Sequence, residues 1–597
     1  MDITIAGYGI VCAIGNDAAA VLASLEAGRT GIAPMRYLRS SHKELPVGEV
    51  KLSNGEMLRM LGQDESAIVS RTALMGAIAI RQALQHARLD TEGKRIVVIN
   101  GTTVAGMDVT ERFLRQMKED DDLLPLLEKH DCGSSTRQMT DLAGLADAEV
   151  CTVSTACSSA VNAIILGSEM LKSGEADIVI AGGTEALSRF HLNGFNSLMI
   201  LDKELCRPFD KNRAGLNLGE GAAFLVLTHT LVKSEELTLH SSLYIHGYGN
   251  RCDAFHQTAS SEDGEGAYLA MCDALQMAGL RPADIHYINA HGTGTPNNDA
   301  SESAAIRRVF GQKIPPVSST KGFTGHATSA CGAIETVICI LALQHQFLPV
   351  NLGWKEPDEA CIWPYSNSKS FNSEFKDSSL RTVLCNSFGF GGNDSALVIG
   401  SLPRPLQRRG EQSECHKACT LAEDIVTDAE QLSELREFVA AGESRRMSRL
   451  MKAATLSSMQ ALREAGIECP DAIITATAYG MLETSEKFLT DMLEQGEETL
   501  SPTLFMQSTH NTLSSAIAIR LKCHGYNMTY SQGSDSLRWA LRDAKRLIET
   551  GKARTVLVGL HDEATPTLQN IFRRMGKPVP PRLYSRSIIL GRSPAND

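Results

Sequence analysis

Cys157 lies in T-V-S-T-A-C-S-S-A (residues 152–160), where the apolar run ending near Ser154 reads as a strand. Ser158 onward reads as a helix ending at Gly174, with Ala160, Ala163, Ile164 and Leu171 on its buried side. A thiol at such a turn faces the first free N–H groups and the positive end of the helix dipole, which lowers its pKa and favours a thiolate nucleophile. A lone cysteine is more often a buried structural residue. Three downstream features shift that balance. His291 closes a strand and opens H-G-T-G-T-P-N-N-D, so its imidazole projects from a tight turn. His326 ends K-G-F-T-G-H, five residues after Lys321, and N-S-F-G-F-G-G (386–392) is a glycine turn without dinucleotide or P-loop spacing. Each histidine alone has many bland uses. Together, a thiolate, two imidazoles and backbone N–H donors are equipped to form an acyl thioester and to hold a developing oxyanion.

The elements that must position these groups follow α/β grammar. A strand at Ile3–Ala6, a Gly-rich turn and a helix near Ala18–Ala27 are followed by a helical pattern from Ser70 and a strand at Arg95–Asn100. The run K-E-D-D-D within Lys118–Asp131 reads as a solvated loop or helix face. Strands at Asp177–Ala181 and Ala222–Leu227 complete one half, residues 1–235. A second half, 236–400, repeats the order with strands at Leu243–Gly247 and His286–Ala290, helices at Gly266–Ala278 and Ala300–Phe310, a long apolar helix and a closing strand pair. Residues 401–445 lose this rhythm, with a polar, Pro-containing linker at 401–419. Cys415, His416 and Cys419 lack a second ligand pair at zinc spacing and do not make a metal site.

A chain of 597 residues exceeds one core and implies three or four units. With 43% hydrophobic and 21% charged residues the composition is that of an ordinary globular protein. A net charge of -12 argues against a nucleic-acid groove. Fifteen cysteines without repeating spacing read as reduced thiols rather than a disulfide framework. The N-terminus has no basic n-region, and no run of about 18 apolar residues occurs, so the expected location is the cytoplasm, with no membrane span.

T-A-C-S-S, H-G-T-G-T-P-N-N-D, K-G-F-T-G-H and N-S-F-G-F-G-G, in this order over about residues 1–400, resemble the active-site motifs of β-ketoacyl-acyl carrier protein synthases, the elongating condensing enzymes. The resemblance implies a thiolase-like, five-layered α-β-α-β-α fold and a homodimer or pseudo-dimer. It also implies substrates carried on the phosphopantetheine of acyl carrier protein, with no metal or redox cofactor. By position it makes Cys157 the acyl-accepting nucleophile and His291 and His326 the decarboxylation histidines. Lys321 tunes the electrostatics with Glu335 as its partner, and Phe390 is the gating residue whose N–H joins that of Cys157 in the oxyanion hole. Thr293 and Thr295 match residues that bond the pantetheine arm, and Val104 matches one deep in the acyl pocket. One departure is G-G-N-D-S, where Asn393 and Asp394 replace the more usual G-G-T-N. A carrier's acidic helix calls for a basic patch, for which Lys211 and Arg213 are available, although a solvated pair is the commoner use of such residues.

Residues 420–597 repeat the first half. S-R-L-M-K-A-A-T-L-S-S-M-Q-A-L at Ser448 echoes S-R-T-A-L-M-G-A-I-A-I-R-Q-A-L at Ser70, and T-Y-S-Q-G-S-D-S-L at Thr529 echoes T-V-S-T-A-C-S-S-A. Gly174 and Gly551 set the offset at 377, which places Ser534 against Cys157. This copy lacks the nucleophile and any counterpart of His291, Lys321 or His326, so it should be catalytically silent. It resembles the half-length ketosynthase-like proteins found beside pigment-type condensing enzymes and, more loosely, chain-length factors. His510 in S-T-H-N-T has a helix-capping or packing role as its commoner explanation. Three functions compete: a condensing enzyme of an aryl polyene or related polyene pathway, a general fatty-acid elongating synthase with an inert appendage, and a non-catalytic carrier-binding protein. Intact Cys157, His291, Lys321 and His326 count against the last.

Overall fold

The computed structural model describes residues 3–229, 243–366, 379–401 and 417–593. Cys415 and His416 lie outside the described residues. Fifteen strands form one hydrogen-bonded ladder built from three groups of five. The first group comprises β1 (Ile3–Cys12), β2 (Ile96–Gly101), β3 (Glu149–Val153), β4 (Ile178–Glu185) and β5 (Gly221–His229). The second comprises β6 (Leu243–Cys252), β7 (Tyr287–Asn289), β8 (Val317–Ser318), β9 (Thr382–Gly389) and β10 (Asn393–Gly400). The third comprises β11 (Ala418–Val426), β12 (Ala472–Ala476), β13 (Tyr526–Tyr530), β14 (Thr555–Glu563) and β15 (Leu583–Arg592). Strand order is β11-β15-β14-β12-β13-β3-β2-β4-β5-β1-β6-β10-β9-β7-β8.

This is the thiolase-like mixed α/β architecture. The near-continuous apolar runs of β2, β4 and β5 mark strands buried on both faces. The helix Arg71–Ala87, capped by Ser70, packs on β1 and β5. The helices Ser159–Lys172 and Cys331–His345 are buried nearly all round because they lie between the first two strand groups, where both faces must be apolar. The helix Glu265–Ala278 covers the far side on β6 and β10. The segment Thr328–His345 is long and apolar enough to cross a bilayer, but it is almost wholly buried in this central layer. Its apolarity is that of a core helix.

The third group repeats the first in order and direction. β12 runs parallel to β13 and β14, and β15 pairs antiparallel with β14 and β11. The same relations hold among β2, β3, β4, β5 and β1. The two copies meet edge to edge where Tyr530 of β13 pairs antiparallel with Val153 of β3. The junction is charge-complementary. Arg542 meets Glu149 at 3.1 Å and also Glu175, Arg546 meets Glu175 at 2.7 Å, and Lys552 meets Glu169.

Two expectations need correction. The Gly-rich segment after Ala6 continues as strand, because Gly7 and Gly9 let the helix Arg71–Ala87 lie directly on the backbone; a Cβ on Gly9 would stand 2.0 Å from the Ala79 carbonyl. The stretch read as linker and irregular chain contains β11, whose apolar alternation is broken by Glu423 and Asp424 on an outer strand. The run K-E-D-D-D is exposed, as expected, where the helix Met107–Glu119 gives way to a 3-10 helix, Asp121–Lys129; Asp121 and Glu128 pair there with Arg574 and Lys577 of the repeat.

Candidate active site

Cys157 sits in a 3-10 turn, Ala156–Ser158, between β3 and the helix Ser159–Lys172. Ala156 has φ +53°, a left-handed conformation that costs a non-glycine residue energy and throws the next side chain sharply inward. Ser387 donates to the Cys157 carbonyl at 3.0 Å, and Gly389 lies so close that a Cβ would reach 2.7 Å from the Thr155 carbonyl. A side chain at 389 would therefore push the glycine turn away from the sulfur. The N–H groups of Phe390 and of Cys157 itself both face Sγ.

Electrostatics at the sulfur differ from the sequence expectation. Burial pushes the thiol up to about 12, against the opposing pull of Lys321 and the two N–H groups. Cys157 is 5% exposed, and desolvation of a thiolate there outweighs the turn's favourable dipoles. The resting residue is a thiol.

His291 follows β7, and a buried carboxylate fixes its turn: Glu302 accepts from the His291 N–H at 2.9 Å and the Gly292 N–H at 2.8 Å. Lys321 Nζ stands 3.4 Å from His291 Nδ1 and 2.5 Å from Glu335 Oε1. An ammonium only donates, so His291 Nδ1 accepts and Nε2 carries the hydrogen that can be offered to a substrate. The His326 ring lies edge-on to His291 with centroids 5.4 Å apart. Burial, then the Lys321 charge, holds both imidazoles well below their ordinary pKa, so both are neutral. Burial opposes the Lys321 charge, but Glu335 and neighbouring groups outweigh it and hold the ammonium above its usual range. Among the described residues one cluster, His291, Cys331 and Glu335, has atoms close enough to share a metal ion. Lys321 Nζ is bonded to two of those three residues, so the positive charge there is the ammonium's.

Cys157, His291, His326, Phe390, Thr293 and Thr295 line one cavity of about 350 Å³. The two threonine hydroxyls bond each other at 2.8 Å. Val104 does not line this cavity. It faces a second one of about 460 Å³ between the two copies, shared with Met107, Leu482, Ser485, Leu489 and His510. A wall of rings lies between the cavities: Phe390 stacks on Phe195 at 5.7 Å, and Phe505 meets Phe195 at 5.3 Å and Phe190 at 5.9 Å. His510 is no helix cap: its Nε2 lies 3.9 Å from Cys132 Sγ, and the Thr103 carbonyl accepts from the ring. Arg213 is withdrawn from any docking patch, being 5% exposed and bonded to Asp358 at 2.5 Å; Lys211 stays exposed.

Sequence reasoning missed two buried carboxylates. Glu302 holds the His291 turn. Glu185 accepts from Thr103 N–H at 2.6 Å and Ser329 Oγ at 2.6 Å, tying the Val104 loop to the segment after His326. Glu185 ends the apolar run I-V-I-A-G-G-T-E and Glu302 lies in the polar run N-N-D-A-S-E, so neither carries a motif that marks it.

A buried cysteine on a strained turn, opposite two neutral imidazoles in a thiolase-like fold, is an arrangement suited to acyl transfer. Comparison with known proteins narrows the class. The family model "Beta-ketoacyl synthase, N-terminal domain" matches residues 1–231, its C-terminal counterpart matches 243–355, and a second N-terminal model matches 420–586. The tetracenomycin polyketide synthase ketoacyl synthase alpha subunit of Streptomyces glaucescens is 32% identical over 429 residues, 68% of this chain and 98% of its own. The 3-oxoacyl-[acyl-carrier-protein] synthase 2 of Coxiella burnetii is 31% identical over 420 residues, 66% and 98%. The chain belongs to the beta-ketoacyl synthase family. Among solved structures, the ketosynthase ApeO in complex with its chain length factor ApeC from Xenorhabdus doucetiae is 31% identical, with TM-score 0.57 over 67% of this chain and 98% of that one. The PfaC ketosynthase-chain length factor matches 99% of this chain and 78% of its own at TM-score 0.76 and 15% identity, a likeness of fold.

Proposed function

We propose that the protein catalyses decarboxylative Claisen condensation of an acyl group on Cys157 with malonyl-acyl carrier protein, giving a β-ketoacyl chain two carbons longer. Cys157 Sγ attacks the acyl-carrier thioester, and the thiol proton leaves on the departing pantetheine sulfur. Malonyl-carrier then enters past Thr293 and Thr295 and loses CO2. The neutral His291 and His326 stabilise the enolate oxygen by hydrogen bonds that strengthen as its charge develops. The enolate carbon attacks the acyl-Cys157 carbonyl. The oxyanion rests on the N–H groups of Cys157 and Phe390 until the thiolate leaves and recovers a proton. Lys321, paired with Glu335, orients His291 by donating to Nδ1. The observation that carries this reading is the Phe390 N–H aimed at Cys157 Sγ in the cavity that also holds both histidines.

The C-terminal repeat acts in this reading as a built-in counterpart of a chain-length factor, shaping the acyl tunnel across the 460 Å³ cavity. The organisation is 1–235 and 236–400 for the two synthase halves, a linker to 419, and the silent copy after it, with its first strand reaching back to Ala418. The cytoplasmic setting is an aryl polyene or related polyene pathway. A second reading, general fatty-acid elongation with an inert appendage, draws support from the 3-oxoacyl synthase 2 relatives.

Mass spectrometry of the chain on Cys157, after incubation with acyl- and malonyl-carrier proteins, tests both. Unsaturated extended chains support the polyene reading and saturated ones the alternative. Undiminished condensation by a Cys157→Ala protein would overturn the mechanism.

A further inference from the structure

A line of buried amides crosses from the C-terminal copy into the catalytic turn. Asn162, Asn250, Asn393, Asn511 and Asn527 are each 8% exposed or less. Asn162 Nδ2 donates to Thr155 Oγ1 at 2.8 Å and Ser158 Oγ at 3.3 Å, the residues on either side of the Cys157 elbow. Its Oδ1 accepts from Asn250 Nδ2 at 2.8 Å. Asn250 Oδ1 in turn accepts from the Asn527 N–H at 2.9 Å. Asn393 Nδ2 donates to Asn527 Oδ1 at 3.0 Å. Asn511 Nδ2 closes the line by donating to Asn393 Oδ1 at 2.7 Å and to the Phe390 carbonyl at 2.8 Å. Two of the five, Asn511 and Asn527, belong to the repeat. The departure at Asn393 is therefore met by a partner that the repeat supplies.

The Phe390 turn needs such a partner. Gly391 and Gly392 both have positive φ, +85° and +75°, and two consecutive glycines give the turn little stiffness of its own. The peptide between Phe390 and Gly391 is pinned at both ends: Asn511 holds its oxygen, and the Gln257 carbonyl accepts its N–H at 2.7 Å. Ser515, one helical turn after Asn511, packs so closely that a Cβ on Gly391 would lie 2.0 Å from its hydroxyl.

We propose that Asn511 is a positioning residue for the oxyanion hole, so that the silent copy holds the Phe390 turn in register with Cys157 as well as bounding the acyl cavity. The inference rests on the reading of Phe390 as an oxyanion donor. Asn511→Asp keeps the size and removes both donated hydrogen bonds, while Asn511→Ser keeps one hydroxyl donor and introduces no charge. Acylation of Cys157 by an acyl-carrier thioester is followed by mass spectrometry, beside alkylation by iodoacetamide, which needs no oxyanion hole. The expected result is a fall in the maximal acylation rate of about tenfold to a hundredfold for Asn511→Asp, on the scale of small misplacements. The fall is smaller for Asn511→Ser, with KM for the carrier and alkylation within about twofold of the parent, the spread set by context. Acylation within twofold in both variants overturns the proposal. So does loss of alkylation and acylation in equal measure, which marks a merely structural contact. If Cys157→Ala still condenses, the underlying mechanism fails instead, and the two failures are separable.

Discussion

Val153 of β3 and Tyr530 of β13 face each other across an antiparallel bridge, and through that one pair a single sheet runs through both ketosynthase-like units. The edge of β3 is thereby occupied by the chain's own repeat. An edge strand left open would invite a second chain.

The first prediction concerns assembly. The 64.5 kDa chain should run as a monomer in light scattering, its pairing edge already filled. A protein ending at Ser401 should self-associate or aggregate, because β3 and the acidic residues Glu149, Glu169 and Glu175 lose their partners. A monomeric, soluble truncation would contradict the role given to this junction.

The second concerns the nucleophile. With the thiol pushed up to about 12, the thiolate fraction rises about tenfold per pH unit throughout the neutral range. Iodoacetamide alkylation of Cys157 should still be accelerating at pH 9. A plateau near neutrality would mean that the helix dipole and Lys321 prevail over burial.

The third concerns chain length. Val104→Phe or Leu489→Trp adds bulk to the cavity between the copies, away from the Cys157 cavity. Products should shorten in chromatographic analysis while first acylation of Cys157 changes by less than about threefold, since distant sites couple weakly. Unchanged product lengths would sink the tunnel assignment.

The fourth concerns packing. A Cβ at Gly194 would stand 2.1 Å from Phe505 Cδ2, so Gly194→Ala forces the ring wall apart. Overpacking of this kind costs about 1–3 kcal/mol, readable by urea denaturation. Adding Phe505→Leu should recover part of the loss, and strict additivity of the two changes would show that the clash is relieved elsewhere.

Much of the site was legible because its parts are local. Cys157, His291, Lys321, His326 and the 386–392 glycine turn each carry a motif within a few residues, and the offset between Gly174 and Gly551 identifies Ser534 as the counterpart of Cys157. The structure repeats that correspondence in the turn itself, with Gly533 at φ +57° where Ala156 has +53°. Glu302, in a polar stretch in the middle of its helix, and Glu185, at the end of its strand, were not legible, since an acidic residue in either place reads as surface until the fold buries it. β11 was hidden by its charged positions, which an outer strand tolerates.

The amino-acid sequence by itself determined which residues fall in the candidate motifs, that the N-terminal half of the fold is repeated, and that the second copy has Ser534 where the first has Cys157. Those properties reside in residue types and short spacings. Only the tertiary structure decided the state of the Cys157 thiol, the cavity to which Val104 belongs, and the reach of Asn511 to the Phe390 carbonyl. Each of these depends on desolvation or on a contact between residues more than a hundred positions apart, and neither leaves a period or a motif in the chain.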